Sequence, residues 1–457
     1  MSVLIFDSFL TTTEMIDVFE DTSIIQAMLQ FEKSLARAQA SEGIIPHTAA
    51  VEIARHCDAA LYDIPGIVVA GRRAGSIAIP LIKALTKAVA VSDKDAATHV
   101  HWGSTSQDVI DSAMVLVTLD ALTLIDSELA SLIERLLELG EKHLKTPVLA
   151  RTLMQPAQVT SLGFKLAGWA APLVRSRAQL KDLSGRALQL QLGGAVGTLA
   201  VMGRKGPFVA QRMAADLHLK VPEAAWHTQR DEWVRLGLEV AVLVGSLGKI
   251  ATDLSLMAQG EIAELAEPSG QGRGGSTAMP HKRNPVSSMI ALAAAGRVPQ
   301  RAAALLTNML QQHERGLGNW QAELAEWPGL FLSAHGALRA LGEAMKGLHI
   351  DSARMLRNID ALQGLVFAEA VSIYLASVIG RPQAHHLMEE LTRQAVANQQ
   401  PLSDIVSRAV ETNKDLREKI DLPALKALFD PALANASATV LADAQLRALR
   451  ATFTTQS

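Results

Sequence analysis

A hydroxyl, an ammonium and a carboxamide lie within ten residues in Gly275-Ser276-Thr277-Ala278-Met279-Pro280-His281-Lys282-Arg283-Asn284-Pro285. A glycine-rich run, Ser269-Gly270-Gln271-Gly272-Arg273-Gly274-Gly275, comes just before. Glycines leave the backbone free to bring Ser276 and Lys282 up to a ligand. Asn is a favoured N-cap and Pro a favoured first helical residue, so Asn284-Pro285 predicts a helix start. The plainer alternative is a surface loop with a solvated basic patch, against which stands Met279-Pro280 between the Ser and the Lys.

Two other stretches also read as helix starts. In His101-Trp102-Gly103-Ser104-Thr105-Ser106-Gln107-Asp108, Thr105 and Asp108 have the spacing of a capping box. A well-capped helix accounts for this. The functional alternative is an anion site made of free helix N–H groups, with His101, Thr105 and Ser106 as added donors. In Arg151-Thr152-Leu153-Met154-Gln155-Pro156, Pro156 suits a first helical position and puts Thr152 and Gln155 at the helix start. No metal site is expected. The adjacent His385 and His386 cannot share a helix face, and the other histidines lack a Cys or carboxylate frame. Gly193-Gly194-Ala195-Val196-Gly197 lacks the strand–helix setting of a nucleotide fold.

These groups need a frame, and composition points to helices. Of 457 residues, 49% are hydrophobic and only 4% aromatic, so the apolar content is mainly Ala, Leu, Val and Ile. Ala and Leu are strong helix formers. Proline is absent between Pro80 and Pro147 and between Pro222 and Pro268, which leaves room for long helices. Asp231–Ile262 carries an apolar stripe at Leu236, Val240, Leu243, Leu247 and Leu254, with Leu238, Ala241 and Val242 on other faces. Such a helix is expected to be buried all round, in part against other subunits. Asp108–Leu139 is a second long amphipathic stretch and Ser287–Leu310 a third, which Pro299 should kink or interrupt. The expected architecture is all-α: an N-terminal domain of residues 1–105, a long-helix centre of 106–345 and a C-terminal domain of 346–457.

A net charge of −3 gives no reason to expect nucleic acid or an anionic membrane as partner. The single cysteine, Cys57, fits a reducing cytoplasm. No leader pattern is seen at the N-terminus, and no uncharged apolar run reaches the roughly 18 residues of a membrane helix.

Together the three motifs resemble the fumarase/aspartase superfamily, whose signature Gly-Ser-x-x-Met-Pro-x-Lys-x-Asn-Pro is met by Gly275, Ser276, Met279, Pro280, Lys282, Asn284 and Pro285. The resemblance implies a three-domain helical fold, a homotetramer around a twenty-helix bundle, and active sites each shared by three subunits. It implies Ser276 as the acid or base at a carbon α to a carboxylate. Lys282 and Asn284 would stabilise the resulting aci-carboxylate. His101 resembles the substrate-binding His of adenylosuccinate lyases. Thr105, Ser106, Thr152, Gln155 and Arg315 are the remaining substrate-binding candidates.

The chain departs from this family at a telling place. Most members have Thr-His-x-Gln in the second motif, and that His pairs with a Glu five residues after the signature Asn. Here the two positions are Leu153 and Met289. Such a dyad protonates a poor leaving group in C–N or C–O cleavage. A carboxylate, with a pKa of about 4, needs no such proton. Losing both halves therefore fits intramolecular addition of a substrate carboxylate to a conjugated double bond. The superfamily has such a branch, the bacterial 3-carboxy-cis,cis-muconate cycloisomerases. Trp226-His227-Thr228-Gln229-Arg230-Asp231 and Gln312-His313-Glu314-Arg315 through Glu323 are similar to it. The implied activity needs no cofactor and takes a small tricarboxylate. The alternatives are a C–N lyase like adenylosuccinate lyase and a catalytically silent structural member.

Overall fold

Apolar stripes at helical spacing do become long helices in the computed structural model, which describes residues 5–270, 274, 275, 279 and 282–456. After helix α1 (Asp21–Ser41) and shorter N-terminal helices come five long ones. These are α2 (Ser106–Lys142), α3 (Leu162–Ala187), α4 (Asp231–Met257), α5 (Val286–Asn308) and α6 (Asn319–Lys346). Proline is a weaker boundary than its chemistry suggests. Pro172, Pro299 and Pro328 lie inside α3, α5 and α6, and the helices continue through them. Of the kink or interruption expected at Pro299, the interruption is not seen: α5 runs unbroken from Val286 to Asn308.

The described chain forms two compact units, Met1–Ala130 with Ser176–Gly248 and Ile290–Ala340, and Ser131–Arg175 with Lys249–Met289 and Leu341–Ser457. Each long helix gives one segment to each unit. In the first unit, Leu236, Val240, Leu243 and Val244 of α4 are fully buried. Trp233 stacks on Trp327 at 3.8 Å between ring centroids, and the Trp327 indole N–H donates to Thr118 Oγ1 at 2.9 Å. Gly237 allows this close approach, because a Cβ there would lie 2.6 Å from Leu305 Cδ1. Gly248 does the same against Ala295, whereas Gly245 faces open space.

The expectation that this helix is buried all round does not hold within one chain. Val242 is 57% exposed and Leu238 only partly covered. Among the described residues α4 is the one single helix long and apolar enough to cross a membrane, and half of its most apolar window is buried within this chain.

In the second unit, α7 (Ala368–Ile379), α8 (Arg381–Asn398) and α9 (Leu402–Thr412) enclose Val371, Leu375, Met388, Leu391 and Val406. Gly380 ends α7, and Arg381-Pro382 opens α8. Two short antiparallel ribbons interrupt the helices: β1 (Pro147–Thr152) with β2 (Gln155–Ser161), and β3 (Leu265–Ala266) with β4 (His349–Ile350).

Candidate active site

The first motif starts α2 at Ser106. Asp108 behaves as the capping-box spacing predicts, its Oδ2 accepting the Thr105 N–H at 3.1 Å. It does more than cap. The same buried carboxylate accepts the N–H groups of Gly193 at 3.0 Å and Gly194 at 2.9 Å, and Oδ1 lies 2.7 Å from His227 Nε2. The glycine-rich run Gly193-Gly194-Ala195-Val196-Gly197 is thus a strap tied to the start of α2. It also passes close to the first motif, since a Cβ on Gly194 would sit 2.9 Å from the Gly103 carbonyl.

Arg315 closes this strap from the other side. Its guanidinium donates to the Gly194 and Ala195 carbonyls at 3.2 and 2.7 Å and to Gln107 Oε1 at 2.9 Å. All three acceptors are neutral, and Arg315 makes no ion pair among the described residues. Its charge remains available to an anionic ligand. His101, Thr105, Ser106 and Arg315 are therefore brought together around one strap. Ser106 and Gln107 open the helix with N–H groups that no acceptor takes among the described residues, which suits an anion.

Beneath this layer is a charged network that local sequence patterns did not show. Gln107 Nε2 donates to Asp111 Oδ2 at 3.1 Å, and Asp111 accepts Arg230 at 2.9 and 3.2 Å and the Trp320 indole at 2.9 Å. Arg230 also reaches Glu323 at 2.5 Å and lies 4.5 Å from the Trp226 ring. Burial acts against its charge, but Asp111 and Glu323 outweigh that and keep its pKa raised. A cue was present in Asp108 and Asp111, which fall at helical spacing beside Val109, Ala113 and Val117.

The second motif corrects the expectation of a helix. Thr152 and Gln155 pair across the tip of the β1–β2 hairpin, and Leu153 and Met154 form its two-residue turn with φ of 50° and 64°. Two positive φ values are what a tight hairpin needs. Pro156 sits in the second strand instead of opening a helix. Leu153 is 97% exposed at the tip. The hairpin is held by Arg151, whose guanidinium grips the buried Glu264 carboxylate at 2.8 and 3.2 Å.

Ser276 lies outside the described residues. Lys282 is exposed and Asn284 partly buried. The Asn284 N–H donates to the Gly274 carbonyl at 2.9 Å, joining the two ends of the signature stretch. Gly274 needs to be glycine, with φ of 69° and the Asn284 carbonyl 2.9 Å from where a Cβ would stand. Helix α5 begins at Val286, two residues after Asn284. Its cap is Glu267, which accepts the Ser287 and Ser288 N–H groups at 2.9 and 2.8 Å and the Ser288 hydroxyl at 2.6 Å. The anion position at this helix start is therefore filled by the protein's own carboxylate. Met289, in the first turn of α5, is 60% exposed.

A family profile described as lyase matches residues 9–299. The chain is 45% identical to the 3-carboxy-cis,cis-muconate cycloisomerase of Bradyrhizobium diazoefficiens over 94% of each chain. It is 43% identical to that of Pseudomonas putida over 92% of this chain and 100% of the other. The crystal structure of the 3-carboxy-cis,cis-muconate lactonizing enzyme from Pseudomonas putida superposes with a TM-score of 0.93 and 42% identity, over 98% of this chain and 99% of that one. The intact signature, the helical frame and these likenesses lead to one conclusion: the chain belongs to the lyase family of the fumarase/aspartase superfamily.

Proposed function

We propose that the protein is a cycloisomerase that converts 3-carboxy-cis,cis-muconate to carboxymuconolactone, a step of protocatechuate breakdown. The carrying observation is the pair Leu153 and Met289, apolar side chains where most of the family keeps an acid dyad. The cycloisomerase relatives support the same reading. In this mechanism a substrate carboxylate oxygen bonds to the diene, and the electron pair moves to a second carboxyl group as an aci-carboxylate. Lys282 and Asn284 stabilise that charge, and Ser276 delivers the proton to the α carbon. His101, Thr105, Ser106, Thr152, Gln155 and Arg315 hold the remaining carboxylates. No cofactor takes part. The protein works in the cytoplasm as a homotetramer, with the domains 1–105, 106–345 and 346–457 and with each active site drawn from three subunits.

The test is loss of muconate ultraviolet absorbance with purified protein. Unchanged 3-carboxymuconate refutes the proposal, and release of fumarate from adenylosuccinate or a relative revives the C–N lyase reading. Inactivity on every family substrate would favour a silent structural member. Ser276→Ala is expected to lower kcat by at least about 10²-fold, the scale of a lost proton-transfer group, with the oligomer intact by gel filtration.

A further inference from the structure

His101 is held in a manner that a solvent-facing binding residue does not require. Its backbone is left-handed, with φ of 58°, a conformation that disfavours side chains with a Cβ. The next carbonyl, of Trp102, accepts Gln39 Nε2 at 2.7 Å, and Gly103, with φ of 72°, rests against Met202. The ring meets Glu32, whose side chain is 0% exposed, with Oε1 at 2.6 Å from His101 Nδ1. Glu32 and Gln39 lie two turns apart on α1, so one helix fixes both the ring and the backbone of the turn. Glu32 Oε2 has no hydrogen-bond partner among the described residues. A buried carboxylate with one free oxygen is costly unless a cation stands beside it.

We propose that Glu32 is a positioning residue that holds His101 as an imidazolium, leaving its Nε2–H to bind one carboxylate of the substrate. The assignment rests on the function proposed above. Nδ1 carries the hydrogen shared with Glu32, so Nε2 is the nitrogen left for a ligand. The ring is 18% exposed, enough for contact without full hydration. The charged groups that bear on it are Glu32 from α1 and Asp108 from the first turn of α2, both carboxylates. Burial favours the neutral ring, but the two carboxylates outweigh it, and the His101 pKa is raised. This histidine–carboxylate pair differs in role from the dyad missing at Leu153 and Met289, because it transfers no proton and supplies a fixed positive charge.

The experiment is a pH titration of the full-length protein with isotope-labelled histidine, with the His101 signal assigned by His101→Gln. In the unaltered protein His101 is expected to titrate above the usual histidine value of about 6.5. Glu32→Gln should lower its titration by about one pH unit, a tenfold smaller imidazolium fraction above it. Glu32→Asp, which keeps the charge, should retain a raised titration and covers the case in which Glu32→Gln does not fold. In turnover assays Glu32→Gln should raise KM by about tenfold at pH 8 and much less at pH 6, with kcat changed little. A His101 titration at or below the usual value overturns the proposal, as does a KM increase independent of pH. The titration needs no substrate, so it still decides the question if 3-carboxymuconate is not turned over.

Discussion

Arg230 is a buried cation between Asp111 and Glu323, with 0% of its side chain exposed. Arg230→Met would leave two carboxylates without their counter-charge, a change that costs about 3–5 kcal/mol in comparable buried pairs. Urea unfolding should show the loss. Cys57 offers an independent reading, because burial pushes its thiol up to about 12 and its Sγ–H donates to the Ile53 carbonyl. A thiol reagent should modify Cys57 only when the first unit opens, and faster in Arg230→Met. Signature residues such as Lys282 and Asn284 were legible because their spacing is local. The Arg230 network was not, because its partners lie 119 and 93 positions away in the chain. The pairing of His101 with Glu32, 69 positions away, was hidden for the same reason.

At the scale of elements, helices were legible and the hairpin was not. The apolar stripes of α2 and α4 follow helical spacing over several turns, so their existence was clear. The β1–β2 turn uses Leu153 and Met154 at positive φ, where Asn-Gly is the usual sequence. Turn chemistry therefore gave no signal, and Pro156 suggested a helix. Replacing Leu153-Met154 by Asn-Gly is expected to relieve about 1–2 kcal/mol of strain per residue and slow amide exchange at Thr152 and Gln155. Helix α4 offers an internal comparison. Gly237→Ala would press a Cβ against Leu305 and Trp327, overpacking that costs about 1–3 kcal/mol. Gly245→Ala meets nothing within this chain and should gain up to about 1 kcal/mol of helix stability in a lone protomer. A fall in assembly for Gly245→Ala, seen by sedimentation, would place a partner subunit on that face.

For the whole molecule, the proposed sharing of active sites can be tested by mixing. Ser276→Ala chains, inactive alone, and His101→Gln chains, weak in substrate binding, should regain full-affinity activity when unfolded and refolded together, because roughly a quarter of randomly assembled shared sites receive both intact residues. No recovery would put the Ser276 and the His101 of each site on the same chain. The proposed oligomer has only an indirect sign in the sequence, an α4 too apolar for one chain, since sequence patterns say that a face is covered but not by what. Leu153 has one more effect, which concerns the newly made chain. At 97% exposure it stands with Met154, Val242, Met289 and Leu310 as bare apolar surface on a single protomer. A chain that assembles as proposed competes, until its partners arrive, between assembly and clumping on the way from the ribosome. Soluble yield should therefore rise with slower synthesis or added chaperone, and the side chain that dispenses with an acid would make the protein more dependent on its cell's folding machinery.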